Sequence, residues 1–346
     1  MTEPVPAAPF AVVPGSRIRE LLAGREKQVI SIVSDAYRTH GAGRTVNPPS
    51  YFLRFPDRPN ARIIALPAAL GGPAPRDGIK WISSFPDNVA AGLPRASAVL
   101  VLNDHATGRP LACLEGSVIS AARTAASAAL AAAVLTRDRP RPRRLGIVGA
   151  GLIARYVAAF LGADGWSFDE VRVNDLSADH ADGLLAYLRR AGRPASPLLR
   201  TSSIEDTIRS SDLVVFATVT AEPHVTETEW FAHRPVVLHV SLRDLAPEIV
   251  LGAANVVDDV DHCLRAGTSP HLAEQVAGDR SFVTGTLHDV MTGRVRVPPD
   301  LPVIFSPFGL GVLDLALGGW VYDELAAHGE LTEVADFFVE EPGSWP

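Results

Sequence analysis

One continuous stretch, residues 145–175, constrains the fold of this chain more than any other. Residues 145–148 are an apolar run of strand length, and the sequence GAGLIA that follows places Gly149, Gly151 and Ala154 in a GxGxxA spacing. Apolar residues then recur at helical spacing, and a second strand-like run ends at Asp175. The stretch therefore predicts a strand, a tight turn, a helix and a second strand.

The small residues of this turn each have a mechanical role in a dinucleotide site. Gly149 permits the tight turn, Gly151 lets a pyrophosphate approach the backbone, and Ala154 lets the helix pack closely on the strand. The phosphates would bind the amide groups at the helix N-terminus. Further expected cofactor contacts are Leu152, Ile153 and Thr218.

Asp175 predicts which dinucleotide is bound. It lies 26 positions after Gly149, slightly beyond the usual spacing of about 20. A carboxylate there accepts hydrogen bonds from a ribose 2′-hydroxyl and repels a 2′-phosphate. No Lys or Arg follows within residues 176–180. The predicted cofactor is therefore NAD rather than NADP.

The rest of the chain shows two patterns of predicted secondary structure. Between residues 51 and 115 short strand-like runs alternate with turns, which predicts a mostly antiparallel sheet. After residue 145 strands and helices alternate, which predicts a doubly wound parallel sheet. One helix is expected over residues 16–42, and a soluble alanine-rich helix is expected over residues 118–136. Ser202 and Glu205 are expected to form a capping box at the start of a later helix. Residues 1–15 are expected as a loose arm or edge strand, and 331–346 to pack on the first half.

Composition excludes several classes of function. The 346 residues carry a net charge of −7, so no broad attraction to nucleic acid is expected, and the basic run at 137–144 is interpreted as a linker. Two cysteines, Cys113 and Cys263, indicate a reduced, cytoplasmic setting, and the N-terminus lacks a signal-peptide pattern. The histidines have no metal-ligand spacing, and no serine lies in a GxSxG motif.

Four charged residues lie in apolar or turn contexts and are candidates for chemistry: Arg54, Lys80, Arg123 and Asp244. Arginine and lysine bind carboxylates. Asp244 follows a strand of the parallel sheet, at the end where such sheets bind ligands, and could move a proton. Each residue has an ordinary alternative, as a sheet-edge charge, a helix surface charge or a turn cap.

Five segments in order give the chain a resemblance to the ornithine cyclodeaminase/μ-crystallin family: GIKWISSFPDN, the TG turn at 107–108, ARTAASAALAA, LGIVGAGLIA and SLRD. The resemblance implies an α/β protein, with a Rossmann domain at residues 123–315 that binds NAD. It also implies an α+β substrate-binding and dimerisation domain with a mostly antiparallel sheet, at 1–122 and completed by 316–346. A cytoplasmic homodimer without nucleic-acid or membrane partners is expected.

The resemblance also assigns roles to residues. Carboxylate binding falls on Arg54, Lys80 and Arg123, catalysis on Lys80 and Asp244, and a cofactor phosphate contact on Thr124. Where ornithine cyclodeaminases carry a glutamate this chain has Ala65, which counts against holding the distal ammonium of ornithine.

Segments such as SSFPDN and VSLRDLAPE resemble the branch that makes L-2,3-diaminopropionate for siderophores and peptide antibiotics. That branch implies NAD-dependent oxidative cleavage of N-(2-amino-2-carboxyethyl)-L-glutamate to 2-oxoglutarate and diaminopropionate. Asp244 would then activate water, Lys80 would stabilise charge, and Arg95 is a further candidate for one of the three substrate carboxylates. Ornithine cyclodeamination, alanine dehydrogenation, imine reduction and non-enzymatic binding of a nucleotide or small molecule remain alternatives.

Overall fold

The computed structural model describes residues 9–190 and 197–338. The strands are β1 (Phe10–Val13), β2 (Thr45–Val46), β3 (Tyr51–Phe55), β4 (Arg58–Leu70), β5 (Arg76–Ser84), β6 (Ala96–Asn103), β7 (Pro110–Glu115), β8 (Arg144–Val148), β9 (Glu170–Asn174), β10 (Leu198–Arg200), β11 (Leu213–Phe216), β12 (Val236–His239), β13 (Ala254–Val257), β14 (Val283–Thr286), β15 (Val303–Ser306) and β16 (Thr332–Val334). The helices are α1 (Gly15–Leu22), α2 (Glu26–Gly41), α3 (Gly116–Leu135), α4 (Leu152–Ala163), α5 (Ala178–Arg190), α6 (Ile204–Arg209), α7 (Pro247–Leu251), α8 (Val260–Cys263), α9 (Ser269–Ala277), α10 (Leu287–Met291) and α11 (Gly311–Ala327).

These elements form two units. The described residues of the first unit are 9–23, 42–120 and 311–338, and those of the second are 24–41, 121–190 and 197–310. The sequence placed residues 1–122 in one domain, but α2 is grouped with the second unit. The reason is packing, because α2 contacts α4 and α10, and its Tyr37 Oη lies 3.2 Å from Ser127 Oγ.

The first unit is built on a mixed sheet in the order β16-β1-β7-β6-β5-β4-β2, with β3 paired to β4. Neighbouring strands are antiparallel except β1 and β7. This confirms the mostly antiparallel sheet. Because β1 pairs with β7 on one side and with β16 on the other, it is neither an arm nor an edge strand. The pairing of β16 agrees with the expected return of the C-terminal segment.

The two faces of this sheet differ. The face that we call the inner face carries Leu66, Lys80 and Leu100 in one cross-strand row, and all three are buried. Helix α11 packs against β4, β5 and β6. The outer face carries the alternate residues, including Trp81 and Val99, which are 42% and 39% exposed.

The second unit contains an all-parallel sheet in the order β10-β9-β8-β11-β12-β15-β13-β14. The four central strands β8, β11, β12 and β15 are almost entirely buried, as a sheet covered by helices on both faces requires. The doubly wound arrangement predicted from the alternating pattern is confirmed. Strand β15, the last strand of this sheet along the chain, lies inside the sheet between β12 and β13.

Three local expectations need correction. The helix expected over residues 16–42 is two helices, because Gly24 has φ +75° between α1 and α2. The cap of α6 is Ser203, which accepts a hydrogen bond from the Asp206 amide, and not Ser202. The basic run at 137–144 is not a free linker, since the Arg139 guanidinium donates to the carbonyl oxygen of Leu301 at 2.8 Å.

One helix among the described residues, α3, is long and apolar enough to cross a membrane by length and composition alone. Of its most apolar window, 72% is buried inside the fold. The sequence predicted a soluble helix here, and the burial of α3 inside the fold agrees with that prediction. Its residue Ser120 lies in the first unit, and Arg123, one turn further on, lies in the second.

Candidate active site

The glycine-rich turn lies at the carboxyl end of β8, where it leads into α4. Gly149 has φ +90°, and a Cβ there would come 2.6 Å from the carbonyl oxygen of Ala217. Gly151 is the N-cap of α4 and offers no side chain to its amides, and nothing lies within 4 Å of where its Cβ would be. An open backbone at the N-terminus of a 12-residue helix fits a pyrophosphate.

The Asp175 carboxylate follows β9 and is fixed by two backbone amides. Its Oδ2 accepts a hydrogen bond from Ala150 N at 2.7 Å, and its Oδ1 accepts one from Ser177 N at 2.8 Å. The carboxylate therefore holds the glycine-rich turn next to the end of β9, where the ribose of a dinucleotide would bind. Leu152, predicted as a cofactor contact, is 55% exposed at the start of α4, and Ile153 next to it is half-buried. Thr124 on α3 is also half-buried.

The structure brings together two residues that were predicted separately. Thr218 follows β11, Asp244 follows the neighbouring parallel strand β12, and the Thr218 hydroxyl donates to Oδ1 of Asp244. Three further side chains contact the same carboxylate. His224 Nε2 lies 3.0 Å from Oδ1, His239 Nε2 lies 3.1 Å from Oδ2, and the Ser241 hydroxyl donates to Oδ2.

This network fixes the charge of Asp244. The side chain is fully buried. Burial by itself would raise the pKa of Asp244, but the hydrogen bonds from His224, His239 and Ser241 outweigh it and hold the pKa well below its usual value. Asp244 is therefore an ionised carboxylate with two partners at each oxygen.

Arg123 is enclosed by the loop that follows β15. Its guanidinium packs against Gly309, where a Cβ would come within 2.7 Å of Nη1. The buried Asp258 carboxylate holds the same loop by accepting hydrogen bonds from Phe308 N at 3.0 Å and Gly309 N at 2.6 Å. Burial raises the pKa of Asp258, although these amides partly oppose it. The loop positions the arginine.

In the first unit, Lys80 forms an ion pair that the sequence did not predict. Its Nζ lies 2.6 Å from Oδ2 of Asp314 on α11 and 3.4 Å from Oγ of Ser120 on α3. The Lys80 and Asp314 side chains are 3% and 0% exposed. Lys80 is thus held rigidly on the inner face.

The structure also places the other predicted cations of the first unit on this inner face. Arg54 and Arg62 are directly opposed on β3 and β4, and Arg62 is opposed to Ser84 on β5. Arg95 Nη1 donates to Ser84 Oγ at 2.8 Å, and burial lowers the pKa of Arg95. Ser84 lies four residues after Lys80, about 13 Å along β5, and alternate residues of a strand lie on the same face. Arg54, Arg62, Arg95 and Lys80 therefore share the inner face. Arg62 was missed because its face depends on the register.

The match to known proteins extends over both units of the chain. Residues 16–329 match the family model described as the ornithine cyclodeaminase/mu-crystallin family. The chain belongs to this family. N-((2S)-2-amino-2-carboxyethyl)-L-glutamate dehydrogenase of Staphylococcus aureus is 28% identical over 321 residues, which are 88% of this chain and 92% of that protein. Alanine dehydrogenase of Archaeoglobus fulgidus is also 28% identical, over 304 residues, with 86% and 89% covered.

Solved structures of this family share the fold. Delta(1)-pyrroline-2-carboxylate reductase of Thermococcus litoralis, in complex with NADH and L-proline, has a TM-score of 0.85 and 25% identity, covering 94% of this chain and 100% of that one. An archaeal alanine dehydrogenase dimer with bound NAD has a TM-score of 0.83 and 24% identity, covering 95% and 99%. The predicted family and fold are confirmed, and the NADH in the reductase complex agrees with the predicted cofactor.

The register of β4 and β5 bears on Ala65, the position at which the resemblance placed a glutamate of ornithine cyclodeaminases. Ala65 is opposed to Trp81 and belongs to the outer face, whereas its neighbour Leu66 is opposed to Lys80. A glutamate at this position would therefore not share a face with Lys80. The alanine does not by itself exclude ornithine.

Proposed function

We propose that this chain is an NAD-dependent enzyme that oxidises a C–N bond of an amino acid, and that its substrate is N-(2-amino-2-carboxyethyl)-L-glutamate. Hydride leaves the glutamate α-carbon for NAD, the resulting imine takes up water, and the C–N bond breaks. The products are 2-oxoglutarate and L-2,3-diaminopropionate, which would serve siderophore or peptide antibiotic synthesis. NAD supplies the hydride acceptor.

The observation that carries this proposal is the row of cations on the inner face. The substrate has three carboxylates, and Arg54, Arg62, Arg95 and Lys80 share one face of the first unit. Arginine binds carboxylates with two parallel hydrogen bonds. Alanine and ornithine each have a single carboxylate and would engage fewer of these cations than a substrate with three carboxylates. The proposal adds Arg123 of the second unit as a further carboxylate ligand and Asp244 as part of the proton-transfer machinery.

A direct assay tests the proposal. The purified protein is mixed with NAD and N-(2-amino-2-carboxyethyl)-L-glutamate, NADH absorbance is followed, and both products are identified by mass spectrometry. We expect NADH, 2-oxoglutarate and diaminopropionate in equal amounts. Proline from ornithine, or pyruvate from alanine, with no reaction of the proposed substrate would assign the chain to another activity of its family. Binding of NADH without turnover of any of these compounds would favour a non-enzymatic binder.

We also propose that the protein is a cytoplasmic homodimer that pairs through the outer face. This face carries exposed apolar side chains on neighbouring strands, among them Tyr51, Trp81 and Val99, which are 66%, 42% and 39% exposed. Contiguous apolar surface of this kind marks an interface. Light scattering after gel filtration should give a dimer mass for the wild type and a monomer mass for Trp81→Glu/Val99→Glu. A monomeric wild type would contradict the proposal.

A further inference from the structure

Asp244 has the chemistry of a fixed anion rather than of a mobile base. Both of its oxygens are engaged by two partners each, its side chain is fully buried, and its pKa lies well below the usual value. A carboxylate in this state accepts a proton poorly at neutral pH and has no exposed surface on which a water molecule could be deprotonated. Proton transfer therefore needs one of the groups that Asp244 holds.

Among its partners, two are imidazoles, and they differ in exposure. The His224 side chain is 33% exposed, whereas the His239 side chain is fully buried. His239 Nε2 also lies 3.1 Å from the backbone nitrogen of Asp244, a donor, so this ring nitrogen faces a donor and an acceptor at once. His224 combines a carboxylate partner with access to solvent.

The backbone holds His224 in register with Asp244. The amide groups of His224 and Val225 both donate to the carbonyl oxygen of Asp244 at 3.0 Å, and Ala246 N donates to the carbonyl oxygen of Val225 at 2.9 Å. These bonds form an isolated parallel bridge between Val225 and Leu245. The imidazole is therefore positioned before any ligand binds, as efficient acid–base catalysis requires.

We infer that His224 is the general acid–base of this enzyme and that Asp244 is its positioning residue. This inference rests on the proposed oxidation of a C–N bond, although not on which amino acid is the substrate. With Nε2–H donated to Oδ1 of Asp244, the other ring nitrogen, Nδ1, keeps a lone pair that can accept a proton. The Asp244 carboxylate then stabilises the imidazolium that forms.

His224 alone can carry out the proton transfers of the reaction. Hydride transfer to NAD turns the secondary amine into an iminium ion. As the oxygen of water bonds to the iminium carbon, Nδ1 of His224 takes one proton from that water, which gives a neutral carbinolamine. The imidazolium then returns the proton to the amine nitrogen, and the C–N bond breaks as the remaining hydroxyl becomes the carbonyl of the 2-oxo acid and releases its own proton to solvent. The sum is substrate, NAD⁺ and water to amine, 2-oxo acid, NADH and one proton.

The kinetic test uses His224→Gln, whose side-chain amide can still donate to Asp244, with His224→Ala as a second variant. We expect kcat to fall about 100-fold or more in both variants, which is the usual contribution of a general acid–base. KM and NADH affinity should stay near the wild-type values, and added imidazole should restore part of the activity of His224→Ala. The matched control is His233→Gln in the same unit, where Nε2 lies 2.8 Å from the Ser211 carbonyl oxygen and kcat should be unchanged. A His224→Gln enzyme with nearly full kcat would overturn the inference while leaving the proposed function in place.

A second measurement does not depend on turnover. In protein labelled with ¹⁵N-histidine, NMR distinguishes the two imidazole tautomers, and the His224→Gln spectrum assigns the signal of His224. Of the two neutral tautomers we expect the one that carries Nε2–H, and loss of this preference in Asp244→Asn. A predominant Nδ1–H tautomer in the wild type would overturn the inference even if no substrate had been found.

Discussion

Lys80 Nζ lies 2.6 Å from Oδ2 of Asp314, and both side chains are almost completely buried in the first unit. The two residues are 234 positions apart in the sequence, and α11 brings them together. Two charges are expensive to bury, so a pair of this kind is maintained for what it holds in place rather than for stability alone. Here it fixes an ammonium on the face that carries the arginines.

The first prediction concerns the stability of this pair. Removing one partner of a buried ion pair costs about 3–5 kcal/mol, because the other charge stays behind in a dry environment. Lys80→Met and Asp314→Leu should therefore each destabilise the protein by about this amount, whereas Lys80→Met/Asp314→Leu should recover much of the loss. Urea unfolding of the two single variants and the double variant measures this coupling. Additive losses in the double variant would mean that the pair does not interact energetically.

The second prediction concerns the loop around Arg123. Gly309→Ala places a methyl group 2.7 Å from Nη1 of Arg123 and also strains a backbone at φ +94°. We expect kcat/KM to fall about 10- to 100-fold, as when a binding group is displaced by about 1 Å. Gly278→Ala is the matched control, since Gly278 has φ +77° in the same unit with nothing within 4 Å of its Cβ position. Equal kinetic losses in both variants would show that strain alone, and not Arg123, is responsible.

The local features of this molecule could be predicted from the sequence, whereas features that depend on long-range contacts could not. Gly149, Gly151 and Asp175 were predicted because a strand, a turn, a helix and a second strand leave a signature within one short stretch, and the structure shows that stretch as expected. Asp314 and Arg62 were missed. Their environment is set by the packing of α11 and by the register between β3, β4 and β5, which no local pattern specifies.

His224 was missed for a different reason. The segment around it, AEPHVT, has no metal-ligand spacing and no other local pattern that indicates a catalytic residue. A histidine that follows one parallel strand and an aspartate that follows the next lie at the same edge of the sheet, as Thr218 and Asp244 do. Searching the loops at that edge for acid–histidine pairs would have found it.

The third prediction concerns cofactor selectivity. The Asp175 carboxylate holds the amides of Ala150 and Ser177, and as an anion it would repel a 2′-phosphate. Asp175→Ser/Leu176→Arg should lower kcat/KM with NAD and raise it with NADP, so that the ratio of the two shifts by about 100-fold or more, equivalent to roughly 2.7 kcal/mol. Steady-state kinetics with both nucleotides measure the ratio. An unchanged ratio would contradict the role assigned to Asp175.

The fourth prediction concerns Arg62. Losing a hydrogen bond to a charged group costs about 1.5–3 kcal/mol, which is roughly a 10- to 100-fold effect. Arg62→Met should therefore raise KM for N-(2-amino-2-carboxyethyl)-L-glutamate by about this factor and leave NADH affinity unchanged. The control is Arg17→Met on α1, which removes an arginine that pairs with Glu20 at 2.7 Å. If both variants keep the wild-type KM, Arg62 does not bind substrate.

The fifth prediction is a pH dependence of stability. Because the pKa of Asp244 is held below its ordinary value of about 3.9 in the folded protein, the unfolded chain takes up the proton first as pH falls. The stabilisation by this carboxylate is therefore fully present above about pH 5 and is lost progressively below pH 4. Asp244→Asn should be less stable than the wild type at pH 7, and the gap should narrow toward pH 3. A gap in unfolding free energy that stays constant over this range would argue against the depressed pKa.

The most direct test of the account compares specificity constants of the wild-type enzyme with NAD for three substrates: N-(2-amino-2-carboxyethyl)-L-glutamate, L-ornithine and L-alanine. Several cations on one face can each contact a carboxylate of the proposed substrate, so we predict a preference of about 100-fold or more for the three-carboxylate substrate. An equal or higher kcat/KM for ornithine or alanine would contradict the assignment of the inner face as a site for several carboxylates.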